Sequence, residues 1–135
     1  KHTSSLSRSS YAILSADVGE KDCAYKLYLD ALQEDLGAGR ETWEGIHTAA
    51  AGGLWQCAVL GFMGVRLYGT QLRIQPNLPD KWRSAKTKIF FGGQKMEIEV
   101  DHERLRVTRL KGNGTIRFLC NGTTYTVDDT LTITY

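Results

Sequence analysis

The sequence predicts an α+β chain in which a helical first half is followed by a small antiparallel β-sandwich. Three observations carry that expectation. Apolar residues recur at helical spacing as far as Arg66. Beyond Gly69 the pattern changes to short runs of period two, punctuated by Gly, Pro and Asn-Gly. Between them lies Glu44–Gly64, EGIHTAAAGGLWQCAVLGFMG, where an ionisable His47 precedes very small residues and then a wholly apolar segment. With 135 residues there is room for one ordinary domain or two small ones. The change of character places the division at residues 1–66 and 67–135.

Helix one is expected from about Ser5 to Val18, with Leu6, Ile13, Leu14 and Val18 as its apolar side and Gly19 as its stop. Helix two follows from about Lys21 to Leu36, with Ala24, Leu27, Tyr28, Ala31, Leu32 and Asp35 near helical spacing. Gly37 and Gly39 end it, and a loop from Ala38 to Glu44 leads to helix three, about Thr48 to Met63. The uncharged run Thr48–Val65 is interrupted by Gly52, Gly53, Gly61, Gly64 and Gln56. It reads as a helix buried inside a larger protein rather than a membrane span. Its small residues let another backbone come close.

Short strands follow. Leu67–Tyr68 and Leu72–Ile74 flank a turn at Gly69, and Pro76 and Pro79 bracket a loop. Lys86–Phe91 and Lys95–Val100 flank Gly92–Gly93, a hairpin signal. In Met96–Glu97–Ile98–Glu99–Val100 one face is buried and the other wet, and Arg104–Val107 repeats the pattern. Asn113–Gly114 and Asn121–Gly122 each suit a tight primed turn. Both also spell Asn-Gly-Thr, a glycosylation acceptor, but the turn is the expected use.

Charged residues make up 24% of the chain and the net charge is +2, so neither nucleic acid nor an acidic membrane surface is an expected partner. The N-terminal KHTSSLSRSS has no apolar signal core. It also lacks an initiator Met, which predicts a fragment or a processed product. Cys23, Cys57 and Cys120 have no metal-ligand spacing and are expected to be buried free thiols in a reducing compartment. A cytoplasmic location is the corresponding expectation, with no metal and no organic cofactor.

Chemistry can sit at two helix starts. Ser4 and Ser5 stand where hydroxyls cap a helix, and where free N–H groups and the helix dipole receive an anion. His47 opens helix three as a proton-transfer group, an anion ligand or a satisfied imidazole. If consecutive helices are antiparallel, helices one and three are parallel. Ser4, Ser5 and His47 then share one face, around a common anion. No nucleotide loop, zinc motif, nucleophile elbow or convincing pair of carboxylates is present.

Three motifs in order, HTSSLS, EGIHTAAAGGLWQCAVLGFMGVR and LRIQPNLPDKW, resemble the C-terminal part of glycoside hydrolase family 65. The resemblance covers roughly residues 2 to 100. That family consists largely of inverting disaccharide phosphorylases, acting for example on maltose, trehalose or kojibiose, and includes some α-glucoside hydrolases. The resemblance implies that helices one and three are inner helices of an (α/α)6 barrel. Helix two would be an outer one, the strands a C-terminal β-sandwich, and Trp82 a packing residue. It also implies that Ser4, Ser5 and His47 bind inorganic phosphate, the co-substrate, although Thr3 stands where the family often has Asp or Gly. The general acid, a glutamate, would lie upstream of this chain, so no catalytic residue is expected within it. The implied partners are the remainder of the barrel, an α-glucoside disaccharide and phosphate, and a homo-oligomer is expected. Two other readings stay open: part of a family 65 hydrolase, or a non-catalytic module that binds carbohydrate or mediates assembly. Aromatics aligned on one sheet face would favour the module, and Tyr68, Phe90, Phe91, Phe118, Tyr125 and Tyr135 are available. Core packing is their expected use.

Overall fold

Helix α1, Ser7–Asp17, ends in the geometry that glycine permits. Gly19 takes φ of +85°. Its N–H reaches Ala16 O at 3.2 Å and that of Glu20 reaches Ser15 O at 2.9 Å, a Schellman closure. The computed structural model describes residues 7–37 and 45–135. It divides into two compact units, Lys1–Phe62 and Met63–Tyr135. Ser4, Ser5, Leu6, Gly39 and the expected loop Ala38–Glu44 lie outside the described residues.

The buried face of α1 differs from the expected one. Ser9, Ala12 and Ala16 are buried, whereas Leu14 is 58% and Val18 75% exposed. Small residues win because α1 lies very close to another helix, and only short side chains fit there. Helix α2, Lys21–Leu36, buries Ala24 and Ala31. It runs antiparallel to α1: Arg8, at the start of α1, pairs with Glu34, and Ser15 near its end meets Cys23.

The expected third helix is two segments. Thr48–Gln56 is α-helical, α3, and Cys57–Phe62 continues as a π-helix. The wider turn leaves Cys57, Val59, Gly61 and Phe62 all buried. Phe62 meets Tyr28 of α2 edge-to-face, with ring centroids 5.5 Å apart.

The second unit contains β1 Val65–Tyr68, β2 Gln71–Ile74, β3 Ser84–Phe91, β4 Gln94–Asp101, β5 Arg104–Lys111, β6 Ile116–Cys120, β7 Thr123–Val127 and β8 Thr130–Thr134. Two four-stranded sheets result, in the orders β1-β2-β6-β7 and β3-β4-β5-β8. All neighbours are antiparallel except β2 and β6, where Leu72 stands opposite Phe118 in a parallel pair. Each sheet buries one face by alternation. Leu72, Ile74, Ile116 and Phe118 come from the first, and Met96, Ile98, Val100, Leu105 and Val107 from the second.

Turn chemistry explains most of the connections. Gly92 and Gly93 both have positive φ and close the β3–β4 hairpin. Asn121 at φ 47° and Gly122 at φ 78° close β6–β7 in the same primed manner. Asn113–Gly114 does not form the expected tight turn. It joins β5 to β6, which belong to different sheets, and the positive φ of 111° falls on Gly112. A crossover between layers needs a longer path than a two-residue hairpin. Gly64, at φ 63°, is where a second backbone comes close: a Cβ there would collide with the Gln75 carbonyl, and its own carbonyl accepts the Gln75 N–H at 3.0 Å. Trp82 sits half-buried at the loop–strand junction. Its N–H donates to Pro79 O at 2.9 Å and its carbonyl meets His102 Nε2 at 2.6 Å.

Candidate functional site

The first unit brings two helix starts to the same end. Along α1, Ser9 lies against Gly53 and accepts the Cys57 thiol on its carbonyl at 3.2 Å. Further on, Ile13 and Ala16 lie against Gly61. Residue numbers therefore rise together along α1 and along α3 with its π-helical continuation, so the two run parallel. Their N-terminal ends, each carrying unpaired N–H groups and the positive end of a dipole, point the same way.

His47 occupies the N-cap of α3, with φ −78° and ψ 78°, and its side chain makes no cap hydrogen bond. Its carbonyl accepts from Ala51 N at 3.1 Å. The residue is exposed, and the backbone reaches it through Gly45 at φ 99°. The imidazole thus stands at the positive end of the helix and is accessible. Ser4 and Ser5 are outside the described residues.

One cation beside these starts was not foreseen in the sequence. Arg8, in the first turn of α1, places Nη1 2.5 Å from Glu34 Oε2 and 3.4 Å from Asp30 O. Both side chains are largely buried, so the guanidinium is committed to holding α1 on α2. Only the tertiary pairing with α2 distinguishes Arg8 from an ordinary solvated arginine.

Two of the three thiols, Cys57 and Cys120, are buried and poor nucleophiles. Burial pushes the Cys57 thiol up to about 11 and also raises that of Cys120, which keeps both protonated near neutrality. Cys23 corrects the expectation of three buried thiols, being exposed. It sits at the start of α2, where Ala24 rather than Cys23 turns inward.

The second unit offers a polar groove of about 250 Å³, lined by Glu99, Asp101, Arg104, Arg106 and Thr132 on the outer face of β4, β5 and β8. Its charges are largely spent on one another. Asp101 accepts from the backbone N–H of Glu103 at 2.9 Å and Arg104 at 2.7 Å, and pairs with the Arg104 guanidinium at 3.0 Å. These contacts, the Glu103 N–H first, hold its carboxyl below the usual range. Glu99 pairs with Lys86 at 3.5 Å. Ion pairs of this kind brace a sheet surface and leave no carboxylate poised as an acid.

The aromatics form no common platform among the described residues. Phe118 is buried and stacks on Tyr125 at 5.6 Å. The exposed Tyr68 lies on β1 and the exposed Phe90 on β3, in different sheets. No described helix is long and apolar enough to cross a membrane.

Comparison with known proteins points one way. Residues 1–56 match the glycosyl hydrolase family 65 central catalytic domain, and residues 65–127 match the glycosyl hydrolase family 65, C-terminal domain. A kojibiose phosphorylase of Caldanaerobacter subterraneus subsp. tengcongensis is 40% identical over 123 residues, covering 90% of this chain and 16% of that protein. An alpha,alpha-trehalose phosphorylase of Geobacillus stearothermophilus is 33% identical over 136 aligned positions, covering 99% of this chain and 18% of that protein. A solved structure from the human microbiome, provisionally described as a kojibiose phosphorylase, superposes with a TM-score of 0.90 at 27% identity. It covers 99% of this chain and 20% of its own. The chain therefore spans less than a fifth of the length of these two sequence relatives.

Proposed function

The chain belongs to glycosyl hydrolase family 65, and from that premise we propose that it is the C-terminal portion of an inverting phosphorylase of an α-linked glucose disaccharide. Residues 1–66 would be the last helices of an (α/α)6 catalytic barrel and 67–135 its C-terminal β-sandwich. The whole enzyme, cytoplasmic and oligomeric in this reading, converts disaccharide and phosphate to β-glucose 1-phosphate and a free sugar.

The observation that carries this reading is the parallel course of α1 and α3, which points two positive helix ends the same way, one of them headed by His47. Ser5 precedes the first residue of α1 by two positions in sequence. We assign Ser4, Ser5 and His47 to a shared phosphate site. Neutral hydroxyls, an imidazole and helix N–H groups hold an anion without fully neutralising it, so a phosphate oxygen keeps the electron pair it needs to attack the anomeric carbon. The glycosidic bond breaks as that oxygen–carbon bond forms. A general acid, assigned to the part of the enzyme preceding this chain, protonates the departing sugar oxygen. The 135 residues alone are catalytically silent in this reading, since they supply an anion pocket and no acid.

Titrating the full-length enzyme with phosphate tests the proposal. Glucose 1-phosphate should appear in proportion to disaccharide consumed and saturate with phosphate. Free glucose released at full rate without phosphate would instead assign the parent to the hydrolases of the family. The carbohydrate-binding module reading finds no support in the scattered aromatics, and glycan binding by the isolated chain would be needed to revive it.

A further inference from the structure

We propose that Gly53 and Ser9 form a contact that sets the separation and height of the two helix ends, making Gly53 a positioning residue for the phosphate site. The inference rests on the phosphorylase reading. A Cβ built on Gly53 would lie 2.6 Å from Ser9 Oγ and 2.8 Å from Ser9 Cβ, closer than real Cβ atoms come. The neighbouring Gly52 has nothing within 4 Å of such an atom, so the two consecutive glycines are not equivalent. Gly53 is required by a neighbour, not by the backbone, because its φ is not positive.

Ser9 cannot turn aside. It is 3% exposed, and its hydroxyl has no hydrogen-bond partner among the described residues. One turn beyond Gly53, where α3 passes into its π-helical continuation, the Cys57 thiol donates to the Ser9 carbonyl at 3.2 Å. One turn further, Gly61 would place a Cβ 3.6 Å from Ile13 Cα and Ala16 Cβ. Gly53, Cys57 and Gly61 thus form one stripe at four-residue spacing, but they are not interchangeable. The Gly61 contact has ordinary van der Waals room, whereas the Gly53 contact has none. Gly53 is also the member nearest His47, six residues away in the same helix.

A methyl group at Gly53, midway along α3, must therefore push the start of α1 away from α3 by on the order of 1 Å, a displacement that costs preorganised sites heavily. The shift acts at the anion end of the pocket and leaves sugar contacts elsewhere in the enzyme alone. Phosphate use should suffer and disaccharide use should not.

The test compares full-length wild type, Gly53→Ala, Ser9→Gly and the double variant, measuring apparent KM for phosphate and for disaccharide together with Tm. Gly53→Ala should raise the phosphate KM by about tenfold while the disaccharide KM stays within about twofold. Ser9→Gly/Gly53→Ala moves the missing side chain from one helix to the other, and should return the phosphate KM to within about threefold of the Ser9→Gly value. Equal rises in both KM values, or no recovery in the double variant, would overturn the inference. Should Gly53→Ala fail to fold, the double variant decides alone: it must fold and bind phosphate like Ser9→Gly, and its failure to do so would count against the contact. Wild type that needs no phosphate would defeat the phosphorylase reading before any variant is considered, so the two failures are distinct.

Discussion

In the β unit the large buried side chains include Phe118, Leu72, Ile74, Met96, Ile98, Leu105 and Ile116, all supplied by its own two sheets. In the helical unit the buried residues are mostly small: Ser9, Ala12, Ala16, Ala24, Ala31, Ala50 and Cys57, with Val59 and Phe62 as the larger ones. Its larger apolar side chains face outward instead, with Val18, Leu36 and Ile46 each 75% exposed and Trp55 55% exposed. The β unit closes a core by itself. The helical unit spends its small residues on close helix contacts and leaves its large ones exposed. A self-sufficient sandwich and an incomplete helical layer are what a chain spanning less than a fifth of its relatives should contain if it crosses a domain boundary.

The sharpest way to break this contrast is to separate the units. Residues 63–135 expressed alone should unfold cooperatively in denaturant, while residues 1–62 alone should show no cooperative transition by circular dichroism. A cooperative transition from the helical piece would erase the distinction. Next in size, Ile98→Ala in the 135-residue chain should lower stability by about 3 kcal/mol through lost transfer energy and a cavity. Leu14→Ala or Val18→Ala in the same chain should change it by less than about 0.5 kcal/mol, because neither side chain is packed here. Denaturant midpoints monitored by Trp fluorescence and circular dichroism compare them directly.

A smaller effect tests the turn chemistry. Asn121→Ala forces a Cβ-bearing residue without a helpful side chain into φ 47° and should cost about 1 kcal/mol, while Asn121→Gly should be close to neutral. The smallest is a matter of reactivity. At pH 7.5 an alkylating reagent should modify Cys23 first and leave Cys57 untouched, since the reactive form is the thiolate and Cys57 is buried with its thiol near 11. Early modification of Cys57 would show that the contact with Ser9 opens readily.

The contrast between the units also explains what could be read in the sequence. The β strands were legible because a period-two pattern such as Met96–Val100 reports burial within its own sheet, and Asn121–Gly122 reports a turn that needs no distant partner. Asn113–Gly114 misled because an identical dipeptide spans two sheets, and sheet membership is not local. Of the apolar side expected for helix one, Ile13 does lie against Gly61, whereas Leu14 and Val18 depart from it for a related reason. Leu14 and Val18 stand exposed, and the face that packs on α3 and its continuation is carried by Ser9, Ile13 and Ala16, two of them small and polar or weakly apolar. The π-helical stretch Cys57–Phe62 has no sequence signature of its own. For the candidate site, His47 and the paired serines were visible through three ordered motifs, whereas the Ser9–Gly53 contact needed coordinates, because serine and glycine in helices ordinarily read as neutral or weakening.

Kinetics of the full-length enzyme and its His47→Ala variant at varied phosphate and disaccharide bear most directly on whether these two helix ends hold the nucleophile. Loss of one charge-assisted hydrogen bond should raise the apparent KM for phosphate by about tenfold and leave that for the disaccharide within about twofold. Equal changes in the two would make His47 a structural residue and remove the phosphate site from this part of the chain.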